Sequence, residues 1–399
     1  MNDKIILHSD VNNFFASVEC STRPELLSKP VAVTGNPEKR TGIILAKNEV
    51  AKKYGVKTGQ AIFEAKILCP ELICLPPHYD VYEKISKELH QIYLEYTDLV
   101  EPLGMDECWL DVTSSSKILN KTGLQIANEL RERIKREFNI TISVGVSFSK
   151  VFAKLGSDMK KPDAVTIISK ENFKEKTYNR PLNSIVGIGR RLEQKFTKMN
   201  LLTIGDFVQL DDNFLKKSTN ITCVELKHKL LSDFDEKVTS YYSLPAPKSI
   251  GNGTTTIKDI ITRQEIEKVI CFLAEKVSSR LINEKFNTHT ITISVKTNEL
   301  KRFGKSKSIF PTNSSSVLCD EALKILDTFW KYDTPVRAIR LSTSSLESIS
   351  DHHQISFFNE KKERLSESIN LLNQKYGKKT VNLASSYEKY INKESFHNE

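Results

Sequence analysis

The sequence predicts an α+β protein built from several domains. Its 399 residues are more than one compact hydrophobic core normally holds, so about two to four domains are expected. When residues 23–78 are left out, the N-terminal part reads strand, helix, strand, strand, helix, strand, which is the split βαβ order of a ferredoxin-like domain. A second α+β pattern, in residues 248–350, has 16 Lys and Arg against 11 Asp and Glu, a net charge of +5.

The ferredoxin-like order depends on six segments with regular apolar spacing. Residues 5–7 begin the first strand, which ends at Asp10, and residues 12–19 have the spacing of a helix. A hairpin between residues 99 and 112 supplies the second and third strands, and residues 140–146 alternate as the fourth strand. Two longer helices follow the 3.6-residue period, one through Tyr82, Ile85, Leu89, Ile92, Tyr93 and Tyr96 and one through Ile126, Leu130, Ile134 and Phe138.

Asp106 and Glu107 are adjacent carboxylates at the tip of the predicted hairpin. Neighbouring carboxylates repel and raise each other's pKa unless a cation lies between them. The pair therefore indicates a hard divalent metal such as Mg²⁺. From the hairpin alone, a solvated acidic turn is the better explanation.

The ferredoxin-like order adds a third carboxylate to this pair. In this fold the first and third strands are antiparallel neighbours, so Asp10 lies at the same end of the sheet as the hairpin. Asp10, Asp106 and Glu107 are therefore expected to converge, which predicts a site for two metal ions about 3.5 to 4 Å apart. A calcium loop beginning at Asp10 is disfavoured because Phe15 stands where an EF-hand needs glycine.

Residues 23–78 are predicted to form a small inserted lobe. Residues 31–33 and 43–45 have the composition of strands, and a basic helix with Lys47, Lys52 and Lys53 follows them. The size of the lobe suits a position above the three carboxylates.

Two later motifs indicate contacts with phosphate groups. Lys160 and Lys161 precede a proline that fixes a turn, although adjacent lysines are more often simply solvated. Residues 186–189 resemble a helix-hairpin-helix, in which Gly187 and Gly189 let backbone N–H groups at a helix N-terminus approach a DNA phosphate. A plain glycine turn between two helices is the alternative.

The C-terminal α+β pattern follows a linker at residues 241–247. Thr262 and Glu265 form the pattern of a capping box before a long helix, and residues 288–295 alternate as a strand. Four basic residues of this domain are crowded together and are predicted to hold the backbone of a DNA duplex, namely Lys301, Arg302, Lys305 and Lys307. Beyond residue 350 the composition is polar, apart from residues 354–358 and a helix with Leu365, Ile369, Leu372 and Tyr376 on one face.

Composition and charge favour a cytosolic protein with a polyanionic partner. The net charge of +9 and the pI near 9.0 favour nucleic acid, although lysine-rich solvated surfaces also produce such values. No apolar run reaches the roughly 18 residues of a membrane span, and the N-terminus lacks the pattern of a signal peptide, so a cytoplasmic protein without a membrane is expected. The seven cysteines are odd in number and include no CxxC pair, so we expect reduced thiols rather than a zinc site or disulfides.

Taken together, these motifs resemble those of the Y-family of translesion DNA polymerases, in its DNA polymerase IV (DinB-like) and UmuC-like branch. The resemblance runs from residue 3 to about residue 358 and rests on ordered motifs at residues 10–19, 48–56, 103–113, 143–162, 186–189 and 248–251. It implies an α+β multidomain fold with a ferredoxin-like palm, inserted fingers, a helix-hairpin-helix thumb and an α+β little finger. In the same order these domains would be residues 1–22 with 79–168, 23–78, 169–240 and 248–350, followed by a tail at 351–399.

The resemblance implies template-directed DNA synthesis of low fidelity and processivity that extends primers past damaged bases. Asp10, Asp106 and Glu107 would be the catalytic residues, and together with the carbonyl of Val11 they would bind two Mg²⁺ ions. Primer-template DNA and a dNTP would be the substrates, and the protein would act as a monomer.

The resemblance also assigns residues around the incoming nucleotide. Phe15 matches the family's steric gate, an aromatic ring that leaves no room for a 2′-hydroxyl. Phe14, Lys52 and Lys161 match positions that contact the nucleotide, with Lys161 at the triphosphate. Glu49 replaces a common tyrosine and Lys52 replaces a common arginine, so the bidentate grip of an arginine is lost at position 52.

Residues 354–358 resemble the sliding-clamp binding peptide of bacterial polymerases. Gln354 is followed by two apolar anchors, Phe357 and Phe358, in a polar stretch. Packing of both rings against the little finger is the alternative.

For the whole protein, the alternatives are a catalytically idle DNA-binding accessory protein on the same scaffold and a nuclease or nucleotidyl cyclase. The three carboxylates and Phe15 argue against the first, and the basic domains after residue 169 argue against a cyclase.

Overall fold

The computed structural model describes residues 4–36, 42–232, 236–349, 360–377 and 380–381. The strands are β1 (Ile6–Val11), β2 (Val31–Thr34), β3 (Ile44–Lys47), β4 (Ile73–Leu75), β5 (Val100–Leu103), β6 (Glu107–Asp111), β7 (Ile142–Ser147), β8 (Val165–Ile168), β9 (Ser249–Ile260), β10 (Phe286–Thr297), β11 (Arg302–Thr312) and β12 (Val336–Ser348). The α-helices are α1 (Phe14–Ser21), α2 (Glu49–Lys53), α3 (Ile62–Leu68), α4 (Tyr79–Leu94), α5 (Thr113–Ile118), α6 (Gly123–Phe138), α7 (Lys150–Met159), α8 (Phe173–Thr177), α9 (Arg190–Thr197), α10 (Ile204–Val208), α11 (Asp212–Ser218), α12 (Ile221–Leu231), α13 (Arg263–Asn283), α14 (Ser315–Asp327) and α15 (Glu360–Tyr376). None of these helices combines the length and the apolar character that crossing a bilayer requires.

The chain is organised as two compact units. The first consists of Met1–Thr34 with Ile44–Leu244, and the second of Gly35–Ile43 with Pro245–Glu399. The first unit contains a five-stranded sheet and a three-stranded sheet, and the second contains a four-stranded sheet. The division after Leu244 falls within the stretch predicted as a linker.

The five-stranded sheet has the strand order β5-β6-β1-β7-β8. Strand β1 pairs antiparallel with β6 on one side and with β7 on the other, and β8 pairs in parallel with β7 at the edge. Without β8, the four remaining strands have the ferredoxin-like order, which confirms that prediction. Strand β8 is an addition that the apolar spacing did not reveal.

Successive residues of β1 point to opposite faces of this sheet. Leu7 and Val11 pack into a hydrophobic core together with apolar residues of α4 and α6. His8 and Asp10 lie on the other face, where they contact residues of α7. The two-residue period of a strand therefore places His8 and Asp10 on the face away from the main core.

Helix α7 lies close to the sheet because β7 has a glycine where the two elements meet. A Cβ atom built on Gly145 would lie 1.9 Å from the carbonyl oxygen of Ala153, so no larger residue fits. Ser149 caps the helix by accepting a hydrogen bond from the N–H of Phe152, which sets where α7 begins. The buried face of α7 consequently brings Lys154 against β1.

The inserted lobe contains the three-stranded sheet, in which β2 is antiparallel to β3 and parallel to β4. Both predicted strands of the lobe are present. The basic helix is shorter than predicted, because Asn48 caps it by accepting a hydrogen bond from the N–H of Ala51. Lys47 therefore belongs to β3 rather than to α2.

The described residues between 169 and 240 are mainly helical and surround a core of aromatic and aliphatic side chains. Phe196 and Phe207 are fully buried and meet edge to face, with their ring centroids 5.5 Å apart. Phe152 of α7 belongs to the same core, so the helical segment is anchored on the element that also supplies Lys154.

The four-stranded sheet of the second unit is antiparallel, in the order β11-β10-β12-β9. Helices α13 and α14 pack on one face, against alternate residues of the strands such as Ile291, Ile293 and Val295. Helix α13 begins with the predicted capping box, in which Thr262 accepts a hydrogen bond from the N–H of Glu265 and the carboxylate of Glu265 accepts one from the N–H of Thr262.

Two of the seven cysteines form a disulfide, so the expectation that all are reduced is wrong for this pair. Cys271 of α13 and Cys319 of α14 are bonded, with their Cα atoms 5.0 Å apart. The two helices pack side by side in the core, which brings together residues that are 48 positions apart in the sequence. Cysteine spacing alone does not show which helix faces pair.

Helix α15 docks on α13 and α14 through polar side chains. Ser366 and Asn370 are buried, and Asn370 accepts a hydrogen bond from the hydroxyl of Ser279 and donates one to the side chain of Asn283. Three of the apolar residues predicted to share a face are exposed, namely Leu365, Leu372 and Tyr376. The shared apolar face is therefore not the face that is buried, and the buried positions Ser366 and Asn370 make hydrogen bonds to α13 and α14.

Candidate active site

Asp10 and Glu107 face each other on two neighbouring strands. They are directly paired in the antiparallel ladder of β1 and β6. Asp106 occupies the turn before β6, and its backbone carbonyl accepts a hydrogen bond from the N–H of Val11 at 3.0 Å. The structure therefore brings the three predicted carboxylates and Val11 together at one end of the sheet.

Three side chains have the geometry of a metal-holding group. His8, Asp10 and Glu107 each offer one ligand atom, and these atoms lie within 4.8 Å of one another. His8 was not predicted from the sequence. Its Nε2 atom lies 3.4 Å from Oε2 of Glu107. Asp106 stands beside this group, in the adjoining turn.

Two lysines lie among the carboxylates. The Nζ atom of Lys154 is 3.0 Å from Asp10, 2.9 Å from Glu107 and 3.1 Å from Asp158. The Nζ atom of Lys161, a predicted nucleotide-binding residue, is 2.8 Å from Asp10 and 2.9 Å from Asp158. Asp10 is therefore flanked by two cations, and Asp158 contacts both of them.

Burial and charge shift the pKa values of the carboxylates in opposite directions. Burial, and then the charges of Glu107 and Asp10, raise the pKa of Asp106 to about 6. Burial would also raise the pKa of Glu107, but the polar contacts from His8 and Lys154 outweigh it and lower that pKa to about 2. Glu107 is therefore firmly ionised at neutral pH, whereas burial, and then repulsion, bring the pKa of Asp106 close to neutral pH.

The polar atoms of this group fit a metal ion. Oε2 of Glu107 and Nε2 of His8 are buried, and neither makes a hydrogen bond with the part of the chain that the structure describes, although Lys154 lies 2.9 Å from the former. Burial lowers the pKa of His8, so its ring is neutral. A cation beside Glu107 and Asp106 would offset both the burial of these carboxylates and the repulsion that acts on Asp106.

Two phenylalanines, Phe14 and Phe15, begin helix α1 shortly after β1. Asn13, with a φ of 54°, turns the chain from the strand into α1. The side chain of Phe14 is 4% exposed and packs in the core. Phe15 is half-buried and stacks on Tyr82, with ring centroids 4.4 Å apart and an interplanar angle of 13°.

Glu49 connects the inserted lobe to the start of α1. It accepts a hydrogen bond from the side chain of Asn13 at 2.8 Å and lies 3.3 Å from Nζ of Lys52. Burial, and then the charges of Lys52 and Lys161, lower the pKa of Lys47. Lysines that disfavour one another's charge in this way favour a polyanion between them.

Four residues of this site were not predicted as site residues, namely His8, Lys47, Lys154 and Asp158. Two signals in the sequence could have found some of them. His8 and Asp10 are two residues apart on a strand and therefore share a face. Lys154 and Asp158 are four residues apart on a helix and therefore also share a face.

Comparison with known proteins identifies the family. The model of the impB/mucB/samB family matches residues 9–158, a range that contains all three carboxylates. The model of that family's C-terminal domain matches residues 247–357. The chain belongs to the impB/mucB/samB family.

Relatives in this family match nearly the whole chain. The DNA polymerase IV of Acetivibrio thermocellus is 41% identical over 381 residues, which cover 94% of this chain and 95% of the relative. The DNA polymerase IV of Bacillus velezensis is 33% identical over 386 residues, which cover 95% of this chain and 92% of the relative. The expected relationship to Y-family, DinB-like polymerases is confirmed.

Solved structures share the fold. The Y-family DNA polymerase chimera Dbh-Dpo4(243-245)-Dbh is similar with a TM-score of 0.77 and 24% identity, and the match covers 86% of this chain and 100% of that chain. DinB from Sulfolobus solfataricus gives a TM-score of 0.59 and 23% identity, and covers 87% of this chain and 100% of that chain. The predicted α+β multidomain fold is confirmed.

In this member of the impB/mucB/samB family, the glycines at positions 187 and 189 lie directly before helix α9. Gly187 has a φ of 106°, a conformation that residues with a side chain rarely adopt. Gly189 is the N-cap of α9, and a Cβ atom built on it would meet nothing within 4 Å. The element before the turn is a short 3-10 helix, Leu182–Ser184. The first helix of the predicted helix-hairpin-helix is therefore only three residues long.

The basic residues predicted to hold DNA do not all share a face. Lys305 and Lys307 contact the helical layer, where Lys305 donates to the hydroxyl of Thr328 at 3.1 Å and Lys307 forms an ion pair with Glu321 at 2.9 Å. Arg302 lies on the opposite face, which the helices leave open.

The open face of the four-stranded sheet carries small polar residues. The paired positions on this face are Ser249, Gly251, Gly253, Thr255, Thr290, Thr292, Ser294, Lys296, Arg302, Gly304, Ser306, Ser308, Ala338, Arg340, Ser342 and Ser344. A Cβ atom built on Gly304 would lie 2.9 Å from the Cβ of Ser294, so the strands approach closely there. The result is a hydroxyl-rich surface with Arg302 opposite Lys296 at one end.

Proposed function

We propose that the protein is a template-directed DNA polymerase that extends primers past damaged template bases by Mg²⁺-dependent nucleotidyl transfer. The observation that carries this proposal is the pairing of Asp10 with Glu107 across β1 and β6, with Asp106 in the adjoining turn. The full-length relatives named DNA polymerase IV support it. A catalytically idle accessory protein would have no use for three converging carboxylates.

Asp10, Asp106 and Glu107, with the carbonyl oxygen of Val11, would hold two Mg²⁺ ions. When bound, such a pair stabilises charge on the attacking 3′-hydroxyl and on the leaving pyrophosphate. The raised pKa of Asp106 supports this assignment, because a bound cation would offset both its causes, the burial of the carboxylate and then the charges of Glu107 and Asp10.

Lys154 and His8 act on the carboxylates rather than on the substrate. Lys154 holds Asp10 and Glu107 at 3.0 and 2.9 Å. Imidazole is a poorer ligand for Mg²⁺ than oxygen, so the neutral ring of His8, whose Nε2 atom lies 3.4 Å from Oε2 of Glu107, is not assigned to the metal.

The lysine group is assigned to the nucleotide. The charges of Lys52 and Lys161 both lower the pKa of Lys47, and a triphosphate is a polyanion that suits compact ammonium groups. Phe14 would contribute only through its backbone N–H, because its side chain is buried. The ring of Phe15 is the steric gate, which excludes the 2′-hydroxyl of a ribonucleotide.

The thumb and the little finger are assigned to the DNA duplex. The backbone N–H groups at Gly187 and Gly189, before α9, would approach a phosphate without interference from side chains. On the little finger, the open hydroxyl-rich face with Arg302 would lie against the DNA backbone. The remaining predicted residues, Lys301, Lys305 and Lys307, would add positive charge at its margin.

The domain boundaries follow the same assignment. The palm would be residues 1–22 with 79–168, the fingers 23–78, the thumb 169–240, the little finger 248–350 and the tail 351–399. The tail's Gln354, Phe357 and Phe358, which lie outside the described residues, would bind a sliding clamp. The protein would act as a monomer of low fidelity and processivity in the bacterial cytoplasm, since the relatives are bacterial.

Primer extension past an abasic template base, with Mg²⁺ and dNTPs, tests the proposal. Glu107→Ala should reduce extension by on the order of 100- to 1,000-fold, because it removes a carboxylate from the reacting charges. Binding of primer-template DNA should remain within about twofold of the parent. Glu137→Ala, on the exposed side of α6, is the control and should extend normally. Extension by Glu107→Ala at the parental rate would refute the assignment.

A further inference from the structure

Glu19 is a buried carboxylate for which the assignments above have no role. It lies on α1 one turn after Phe15 and is 5% exposed. Its Oε1 atom accepts a hydrogen bond from the hydroxyl of Tyr82 at 2.5 Å and lies 2.8 Å from Nδ1 of His78. Its Oε2 atom lies 3.5 Å from the guanidinium of Arg23. A carboxylate this deeply buried is costly unless it is paired and hydrogen-bonded, and both oxygens of Glu19 are engaged.

Tyr82 connects this carboxylate to Phe15. The ring of Tyr82 is completely buried and stacks on Phe15, while Tyr79 meets Phe15 edge-on with ring centroids 5.6 Å apart. The far end of the Tyr82 ring is held by its hydrogen bond to Glu19. Movement of Phe15 toward Tyr82 therefore requires that this bond is strained or broken.

Arg23 and His78 lie at the two ends of the inserted lobe. Arg23 follows Thr22, the C-cap of α1, where the chain leaves for the lobe. His78 is the N-cap of α4, where the chain returns. Oε2 of Glu19 contacts Arg23 at one end of the lobe, and Oε1 contacts His78 at the other end. One carboxylate thus joins both connections of the lobe to the aromatic stack behind Phe15.

We propose that Glu19 is a positioning residue for sugar selection, because it holds Tyr82 and, through Tyr82, the ring of Phe15. The inference rests on the proposed role of Phe15 as the steric gate. Exclusion by a clash depends on how far the excluding group can retreat, and a ring that yields admits the larger sugar. Glu19 acts through Tyr82 and touches no substrate.

The test measures sugar discrimination, the ratio of kcat/KM for a dNTP to kcat/KM for the rNTP with the same base. The full-length chain is used with primer-template DNA and Mg²⁺. Phe15→Ala tests the gate itself and should lower the ratio about 100-fold. Glu19→Ala should lower it about tenfold, through a higher kcat/KM for the rNTP. Its kcat for the dNTP should change less than about twofold, because no group at the reacting atoms is altered.

Conservative variants separate positioning from a general loss of stability. Glu19→Gln keeps an oxygen that accepts from Tyr82 and should retain the parental ratio within about twofold. Tyr82→Phe keeps the ring, removes only the hydroxyl and should lower the ratio about as much as Glu19→Ala. The matched control is Tyr93→Phe, which removes another buried hydroxyl of α4, one that lies 2.8 Å from Ser9 Oγ. This control should leave the ratio unchanged.

The outcomes distinguish this inference from the proposed function. If Phe15→Ala lowers the ratio while Glu19→Ala and Tyr82→Phe keep the parental value, the gate stands and the role of Glu19 is wrong. If Phe15→Ala keeps the parental ratio, the gate is wrong and the inference falls with it. If Glu19→Ala does not fold, as judged by thermal unfolding, Tyr82→Phe decides alone.

Discussion

At the scale of single residues, the candidate active site concentrates negative charge and offsets part of it with lysines. Asp10 and Glu107 are paired across two strands, and Lys154 lies within 3.0 Å of both. The pKa of Asp106, in the adjoining turn, is nevertheless raised to about 6. The arrangement that suits a divalent cation is therefore costly without one.

Mg²⁺ binding should depend on pH near 6. The pKa of Asp106 in the folded protein is raised from 3.8 to about 6, and a protonated carboxyl group is a poor metal ligand. We expect the Mg²⁺ affinity, measured by titration calorimetry, to fall by up to about tenfold for each pH unit below 6. Glu107 should not contribute in this range, because its pKa is lowered to about 2. An affinity that is constant from pH 7 to pH 5 would contradict the prediction.

The raised pKa of Asp106 should also make the stability of the metal-free protein depend on pH. Whereas the Mg²⁺ affinity should rise with pH, the contribution of Asp106 to stability should fall. Asp106 binds its proton more tightly in the folded than in the unfolded chain, so its contribution to stability falls as pH rises from about 4 to about 6. Asp106→Asn should remove this fall. Thermal unfolding in EDTA at several pH values in that window measures it. Parallel profiles for parent and variant would show that the pKa of Asp106 is not raised.

Lys154→Met should destabilise the metal-free protein in a way that Mg²⁺ partly reverses. Removing the lysine leaves Glu107 without an ammonium partner and leaves Asp10 with Lys161 alone, at an expected cost of about 3 to 5 kcal/mol in the free energy of unfolding. A bound Mg²⁺ supplies replacement charge, so the increase in Tm on adding Mg²⁺ should exceed that of the parent. The matched control is Lys150→Met on the same helix, whose ion pair with Glu101 at 2.6 Å is separate from the site. Equal Mg²⁺ effects in the two variants would contradict this role.

At the scale of secondary-structure elements, the alternation of β11 decides which basic residues face an open surface. Arg302 is paired with Lys296 on the open face of the sheet. Lys307 points to the helical side and already forms an ion pair with Glu321. Residues five apart in one basic segment therefore have different surroundings, since successive strand residues point to opposite faces.

Arg302→Ala should weaken binding of primer-template DNA more than Lys307→Ala does. Loss of one phosphate contact should lower the affinity about fivefold and reduce the slope of log affinity against log salt by about 1. Lys307→Ala should cause a smaller change, because its ion pair with Glu321 must break before it meets a phosphate. Fluorescence anisotropy at several salt concentrations measures both quantities. A larger loss for Lys307→Ala would mean that the DNA lies against the other side.

At the scale of the whole molecule, the three carboxylates and the hydroxyl-rich sheet belong to different compact units. The carboxylates lie in the unit formed by Met1–Thr34 and Ile44–Leu244, and the hydroxyl-rich sheet lies in the unit that begins again at Pro245. The proposed clamp peptide follows the second unit's sheet in the sequence. Residues of the second unit can therefore be replaced without altering the carboxylates.

Replacing both Phe357 and Phe358 by alanine should abolish stimulation of processivity by a sliding clamp. Each ring can remove about 150 to 250 Å² from water in a binding groove, and the variant loses this contribution. Clamp-free primer extension and the Tm should stay close to parental values, and they serve as internal controls. A large fall in Tm would instead identify the two rings as part of a hydrophobic core.

The sequence by itself determined the fold class and the convergence of Asp10, Asp106 and Glu107. Both follow from local periods and from one topological rule. A strand shows a two-residue period and a helix a 3.6-residue period, and the ferredoxin-like order makes the first and third strands neighbours. Adjacent carboxylates at a hairpin tip then meet the end of the first strand wherever the rest of the chain packs.

Only the tertiary structure decided which elements cover each face. Lys154 reaches Asp10 because Gly145 lets α7 approach the sheet, and Cys271 bonds Cys319 because α13 and α14 pack side by side. Glu19 likewise gains its partners from both ends of the inserted lobe. The spacing of residues along the sequence shows that a helix or strand has an apolar or polar face, but it does not show which other element packs on that face. The packing partner depends on contacts between residues far apart in the chain.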